Sequence, residues 1–215
     1  MPRLKVALHV GSALLSKLTV GGCVVYGGSG ASPDGIRATS PARPVEPMNN
    51  RDFWQLIAES RRDSADADVD QAQALKGALQ RLDTAGVATF QRAFVQASQS
   101  LYTWKVAAAS DLVCGSLGDD LFTDFRSWVI AHGEHAYERV VENPDALAEF
   151  EDLDDGCGAG EPFGFAASEV YADKSGRNAW DDGLPILEPS TQPAGERIDG
   201  DAALRAAFPM LFARE

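Results

Sequence analysis

Residues 84–104, TAGVATFQRAFVQASQSLYTW, decide the fold class. Val87, Phe90, Phe94, Ala97, Leu101 and Trp104 recur in steps of 3, 4, 3, 4 and 3. That is the period of one helix face, not the alternation of a strand. So large an apolar stripe is buried most simply against other helices in a bundle. It is read as core rather than as the wall of a ligand cavity. Thr84 stands where an N-cap belongs.

The flanking segments carry the same signal. Asn49 or Asn50 can cap a helix bearing Phe53, Trp54, Leu56 and Ile57. DADVDQAQALKGALQRL (66–82) sets Ala72, Leu75, Leu79 and Leu82 on one face. WKVAAASDLVCG (104–115) offers small residues for close packing, with Gly115 and Gly118 to end it. HAYERVVENPDALAEF (135–150) breaks where Asn143 can cap and Pro144 can open a short helix. EPFGFAASEVYADKSG (161–176) is helical by pattern, and residues 181–200 form a Pro/Gly-rich excursion. In residues 201–215, Leu204, Phe208, Leu211 and Phe212 would dock a last helix back on the body. The expected fold is all-α: a compact multi-helix bundle over residues 48–215, with that excursion near its C-terminus.

Charge narrows the partners. The chain has 215 residues and a formal net charge of −13. Residues 1–47 hold Arg3, Lys5, Lys17, Arg37 and Arg43 against Asp34 and Glu46, a net of +3, so −13 − 3 = −16 remains for the rest. A body that acidic repels phosphate backbones, which excludes direct nucleic-acid binding. It suits a basic protein surface or a small cationic ligand. Cys23, Cys114 and Cys157 are far apart and include no CxxC pair, so they are read as reduced thiols in a cytoplasmic protein.

Residues 1–47 read as a disordered or weakly structured extension, or as sequence ahead of a natural start at Met48. VGGC (20–23) has the look of a lipobox, with Cys23 as the lipidated residue of a membrane-tethered alternative. His9 and Lys17 interrupt the apolar core such a signal needs, and no stretch is long enough to span a bilayer.

The candidate site lies in CGSLGDDLFTDFRSWVIAHGEH (114–135). At 100° per residue, Leu121, Phe122, Phe125, Trp128, Val129 and His132 share one face, and Asp119, Asp120, Thr123, Asp124, Arg126 and Ser127 the other. Ser116 and Asp119 have the spacing of a capping box, which would explain the first acids structurally. Asp120 and Asp124, four apart, could hold Mg²⁺ or Ca²⁺. Asp124 is the least explained acid and could pair with a base on another helix. His132 is read as a boundary residue, and too few histidines are present for a zinc site. Asp66–Gly77 and Asp152–Phe163 lack the glycine and glutamate of a calcium loop. No P-loop, GxSxG elbow or GxGxxG after a strand occurs, though a cysteine–histidine pair could form in space. Two functions follow. One is an acidic binding or regulatory module without a cofactor. The other is an enzyme or metal-binding protein built on Asp119, Asp120, Asp124 and Arg126, with Trp54, Trp104 and Trp128 walling its pocket.

Several blocks occur together in one order: MNNRDFWQLI, CGSLGDDLFTDFRSWVIAHG, ENPDALAEF, EPFGFAASEVY and AGERIDGDAALRAAFPMLFARE. In them residues 48–215 resemble a bacterial family catalogued as domain of unknown function 4240. The family motif is Gly-Cys-Ser, paired aspartates and F-x-x-F-R-x-W-[LI]-I. It is met here by Cys114-Gly115-Ser116, Asp119-Asp120, Phe122, Phe125, Arg126, Trp128, Val129 and Ile130, with the first triplet reordered and Leu117-Gly118 inserted. The resemblance implies a compact, mostly helical single domain and no established activity. Relatives joined to WGR domains, in proteins named as molybdate metabolism regulators, imply regulation in some members.

Overall fold

The computed structural model describes residues 46–67, 70–187 and 192–214. The readings of the N-terminal extension and of Cys23 therefore lie outside the described residues. Within them the elements are helices: α1 (Asn50–Ala67), α2 (Gln71–Gln80), α3 (Thr84–Ser100), α4 (Trp104–Cys114), α5 (Asp119–Ala131), α6 (Glu134–Glu142), α7 (Glu161–Ser175), α8 (Asp201–Ala207) and α9 (Pro209–Phe212). Two 3-10 segments, Pro144–Glu149 and Leu153–Cys157, lie between α6 and α7. The only β pairing among the described residues is one isolated bridge, Thr103 to Ala194. None of the described helices is long and apolar enough to cross a membrane.

The α3 stripe is the middle of the core. Val87, Phe90, Phe94 and Leu101 are at most 1% exposed. Phe53 of α1 lies 5.1 Å from Phe90, and Phe163 of α7 lies 5.9 Å from Phe94, centroid to centroid. The stripe ends before Trp104. The chain turns at Leu101, Thr103 caps α4 by accepting from the Val106 N–H, and Trp104 begins the new helix. There the excursion is stitched in: the Ala194 N–H donates to Tyr102 O and the Trp104 N–H to Ala194 O. A β-region cap residue interrupts a run whose side-chain spacing alone reads as continuous.

Local chemistry sets the other ends. Asn49 Oδ1 accepts from the Asp52 N–H and caps α1. Asp70 accepts from Ala72 and Gln73 at the start of α2. Asp83, not Thr84, caps α3 by accepting from Gly86 at 2.7 Å. Pro144 opens its segment as expected, but the turn is 3-10 and the Asn143 side chain makes no cap bond. The closing apolar run breaks at Phe208 into α8 and α9. Phe208 and Leu211 are buried, and the buried Asp145 carboxylate accepts from the Met210 and Leu211 N–H groups at the start of α9.

Glycine decides how α7 meets α5. A Cβ on Gly160 would stand 1.8 Å from Asp124 O and 2.7 Å from Trp128 N, and one on Gly164 would stand 2.8 Å from Ser127 Oγ. Gly160 has an ordinary right-handed backbone, φ −79°. Close approach, not conformational freedom, demands the glycine there.

The cysteines correct the sequence reading. Cys114 at the end of α4 and Cys157 in the second 3-10 segment, 43 residues apart, form a disulfide. Spacing along the chain did not reveal the pair, because only the packing of that segment between α4 and α5 brings the residues together. Neither sulfur is then a thiol, which removes the proposed cysteine–histidine pair. In the chain-entropy account, a closed loop of this length contributes about 4 kcal/mol.

Two measurements check this packing. Reduction of the denatured chain should expose two further cysteines, Cys114 and Cys157, to alkylation; their modification without reductant would contradict the disulfide. Gly160→Ala should lower stability by about 3 kcal/mol or more, read by urea denaturation, since the clash is with backbone that cannot rotate away.

Candidate functional site

The structure divides the residues singled out in α5 among three environments. Gly118 is the N-cap of this helix and makes no side-chain cap bond, so the capping box of Ser116 and Asp119 does not form. The Leu117 N–H donates instead to the Asp111 carboxylate. Asp119 and Asp120 occupy the first helical turn, where the helix dipole favours negative charge.

Arg126 is buried, 1% exposed, not on a solvent face. Its Nη1 donates to Ser98 O and Ser98 Oγ at 3.1 and 2.9 Å, its Nη2 to Thr123 Oγ1 and its Nε to Phe122 O. The guanidinium lies over the Tyr102 and Phe122 rings, 4.8 and 5.1 Å from their centroids. Burial pushes its pKa down to about 10, so it stays charged at neutral pH. No carboxylate pairs with it among the described residues. The carbonyl end of α3 and two aromatic faces take that place. Ser127 is equally buried while Leu121 is 43% exposed, so α5 is covered on two sides, by α3 and α7, and not on one.

Trp128 and His132, further along the helix, stand in a different environment from Asp120 and Asp124. The His132 ring lies 4.5 Å from Trp128 and 4.6 Å from Phe150, with Nδ1 2.9 Å from Trp128 O and Nε2 3.0 Å from the Asp152 carboxylate. Both residues line a cavity of about 230 Å³ with Arg61, Gln71 and Asp155. Trp54 packs on Tyr137, and Trp104 lies under Arg197. The three tryptophans therefore share no pocket wall.

Asp120 and Asp124 do reach a concave site. A pocket of about 270 Å³ opens between α3, α5, α7 and the turn after α7. Gln91, Asp120, Asp124, Glu161, Phe165 and Trp180 are among its lining residues. Glu161 is there because Gly160 presses the N-terminus of α7 onto the Asp124 carbonyl. Burial, then Glu161 and Asp120, push the half-buried Asp124 carboxyl up from 3.8 to about 6. No basic side chain or hydrogen-bond donor meets these three carboxylates among the described residues. The base expected for Asp124 is replaced by a second acid. Among the same residues, no group of three aspartate, glutamate, histidine or cysteine side chains is placed to hold a metal ion.

Sequence reasoning missed Glu161, Gln91 and Trp180. Trp180 belongs to a turn held by Leu184 N–H to Ala179 O and by Tyr171 OH to Asp182. A tryptophan in a Gly/Asp-rich segment, 55% exposed in the fold, was the available signal.

Fold and site together define a helical domain with an acidic pocket rimmed by apolar side chains. It belongs to the family described as Protein of unknown function (DUF4240), whose model matches residues 48–173. The match ends inside α7, so the closing block that shares the resemblance lies beyond it. No curated protein and no solved structure matches the chain.

The pocket makes a pH-dependent demand. Because the native Asp124 binds its proton more tightly than the unfolded chain does, stability falls as pH rises from about 4 through about 6. Asp124→Asn should therefore melt above wild type at about pH 8, with the gap closing towards about pH 4; a gap that widens on acidification would contradict the assignment.

Proposed function

We propose that residues 48–215 act as a binding module that recognises a positively charged group through the Asp120, Asp124 and Glu161 pocket. One observation carries this reading. Three carboxylates line a common concavity with no cation among the described residues to balance them, while the helix's own Arg126 is committed to the core. Acids that serve only as solvated surface do not gather at the wall of a pocket, where each raises the cost of ionising the others. The −16 of the body favours the same partner at long range and disfavours nucleic acid.

A second reading has its own support. A carboxyl held at about 6, in a pocket that Thr123 and Ser168 also line, has the proton affinity of a general acid or base. An enzyme of this kind would show an activity limb near that pH. Mg²⁺ or Ca²⁺ at Asp120 and Asp124 has less behind it, since two carboxylates would leave most of the coordination shell to water. The disulfide favours an oxidising compartment over the cytoplasmic one expected from composition, and tethering through Cys23 would be consistent with that.

The test is calorimetric titration of the full chain with a lysine-rich peptide and a glutamate-rich peptide of equal length. The lysine-rich peptide should bind, weaken with salt, and lose at least tenfold in affinity on Asp120→Asn, Asp124→Asn and Glu161→Gln combined. Equal binding by that variant, or no binding by wild type, would overturn the reading.

A further inference from the structure

The pocket asks for more than positive charge. Gln91 of α3 is 3% exposed and lines it. Its Nε2 donates to Pro185 O at 3.1 Å, which fixes which end of the amide is which. The Oε1 atom is buried with no hydrogen-bond partner among the described residues. A buried acceptor left in that state is rare and calls for a donor. Apolar exposure is concentrated at the same place. Phe165, Trp180 and Ile186, respectively 40%, 55% and 41% exposed, all line this pocket, and Leu187 joins them. Exposed apolar surface gathered at a concavity marks a site for an apolar ligand body. The volume, about 270 Å³, is that of a site for one slender ligand or one side chain.

On the cation-binding reading above, we propose that the pocket binds an aliphatic primary amine. Its ammonium group sits among Asp120, Asp124, Glu161 and the Gln91 carbonyl, and its hydrocarbon chain lies against Phe165, Trp180 and Ile186. Each demand excludes a competitor. A metal ion makes no use of the apolar rim. A quaternary ammonium has no N–H to give Gln91. A primary ammonium carries three donors on a stem that can bury. The same chemistry arises in a free alkylamine and in a lysine side chain of a peptide.

Calorimetric titration of the full chain tests this with hexylamine, hexyltrimethylammonium, Mg²⁺ and a short peptide holding one internal lysine. Hexylamine should bind at least tenfold more tightly than hexyltrimethylammonium. Gln91→Leu should abolish that preference. Trp180→Ala, at a side chain more than half exposed, should weaken hexylamine several-fold. Tighter binding of the peptide than of hexylamine assigns the amine to a protein lysine, and the reverse order to a free amine. If the two hexyl compounds bind equally, or Mg²⁺ displaces hexylamine at lower concentration, the amine assignment falls while cation recognition stands. If none of the probes binds, both fall.

Discussion

The close approach of Gly160 to the backbone of α5, and of Gly164 to the Ser127 side chain, is the constraint on which the site depends. Helices that carry side chains at their contact pack roughly 8–10 Å apart, axis to axis. Here a single methyl group on Gly160 would overlap the Asp124 carbonyl. That approach places Glu161 beside Asp124 and forces two acids to share one pocket wall. The Cys114–Cys157 disulfide fixes the segment that delivers α7 to this point. Gly156 seats that segment against the Trp128 ring, where a Cβ would lie 2.9 Å from Cε3.

The charges of α5 are separated by helix geometry. Asp124 and Arg126 are two residues apart, about 200° around the helix, so they cannot meet. Arg126 turns to the carbonyl end of α3 and to the Tyr102 and Phe122 faces, where backbone dipoles and π-electrons replace a carboxylate. Asp124 turns to the pocket. A buried cation bonded to neutral acceptors and, on the far side, acids with no basic partner among the described residues form one arrangement. The helix keeps its stabilising charge inside and presents its unbalanced charge outward.

Much of the architecture was legible along the chain, for reasons that differ by element. The α3 stripe was readable because its large apolar residues repeat at the helical period, and Val87 through Leu101 follow it, although the structure also buries Gln91, Val95 and Ser98 beside it. Asn49 and Pro144 were readable as punctuation because their chemistry is local. Trp104 was misassigned for the opposite reason: apolar spacing ran across a cap that side-chain periodicity does not register. In α5 the wheel put Arg126 and Ser127 on the face opposite the apolar stripe because a wheel supposes one covered face, and this helix has two. Of the candidate site, Asp120 and Asp124 were found from their spacing. Glu161, Gln91 and Trp180 come from two other helices and a turn, at separations for which no sequence period exists.

By itself, then, the sequence determined that the body is helical, that it is acidic, and which surfaces must be buried. These properties arise from neighbours within about a turn of helix and from the sum of charges. Tertiary structure alone decided that Cys114 meets Cys157, that Arg126 is core, and that Asp124 faces Glu161 rather than a base. Each of those outcomes depends on elements distant along the chain, and at Asp124 the approach is set by a glycine whose role appears only when a second backbone lies against it.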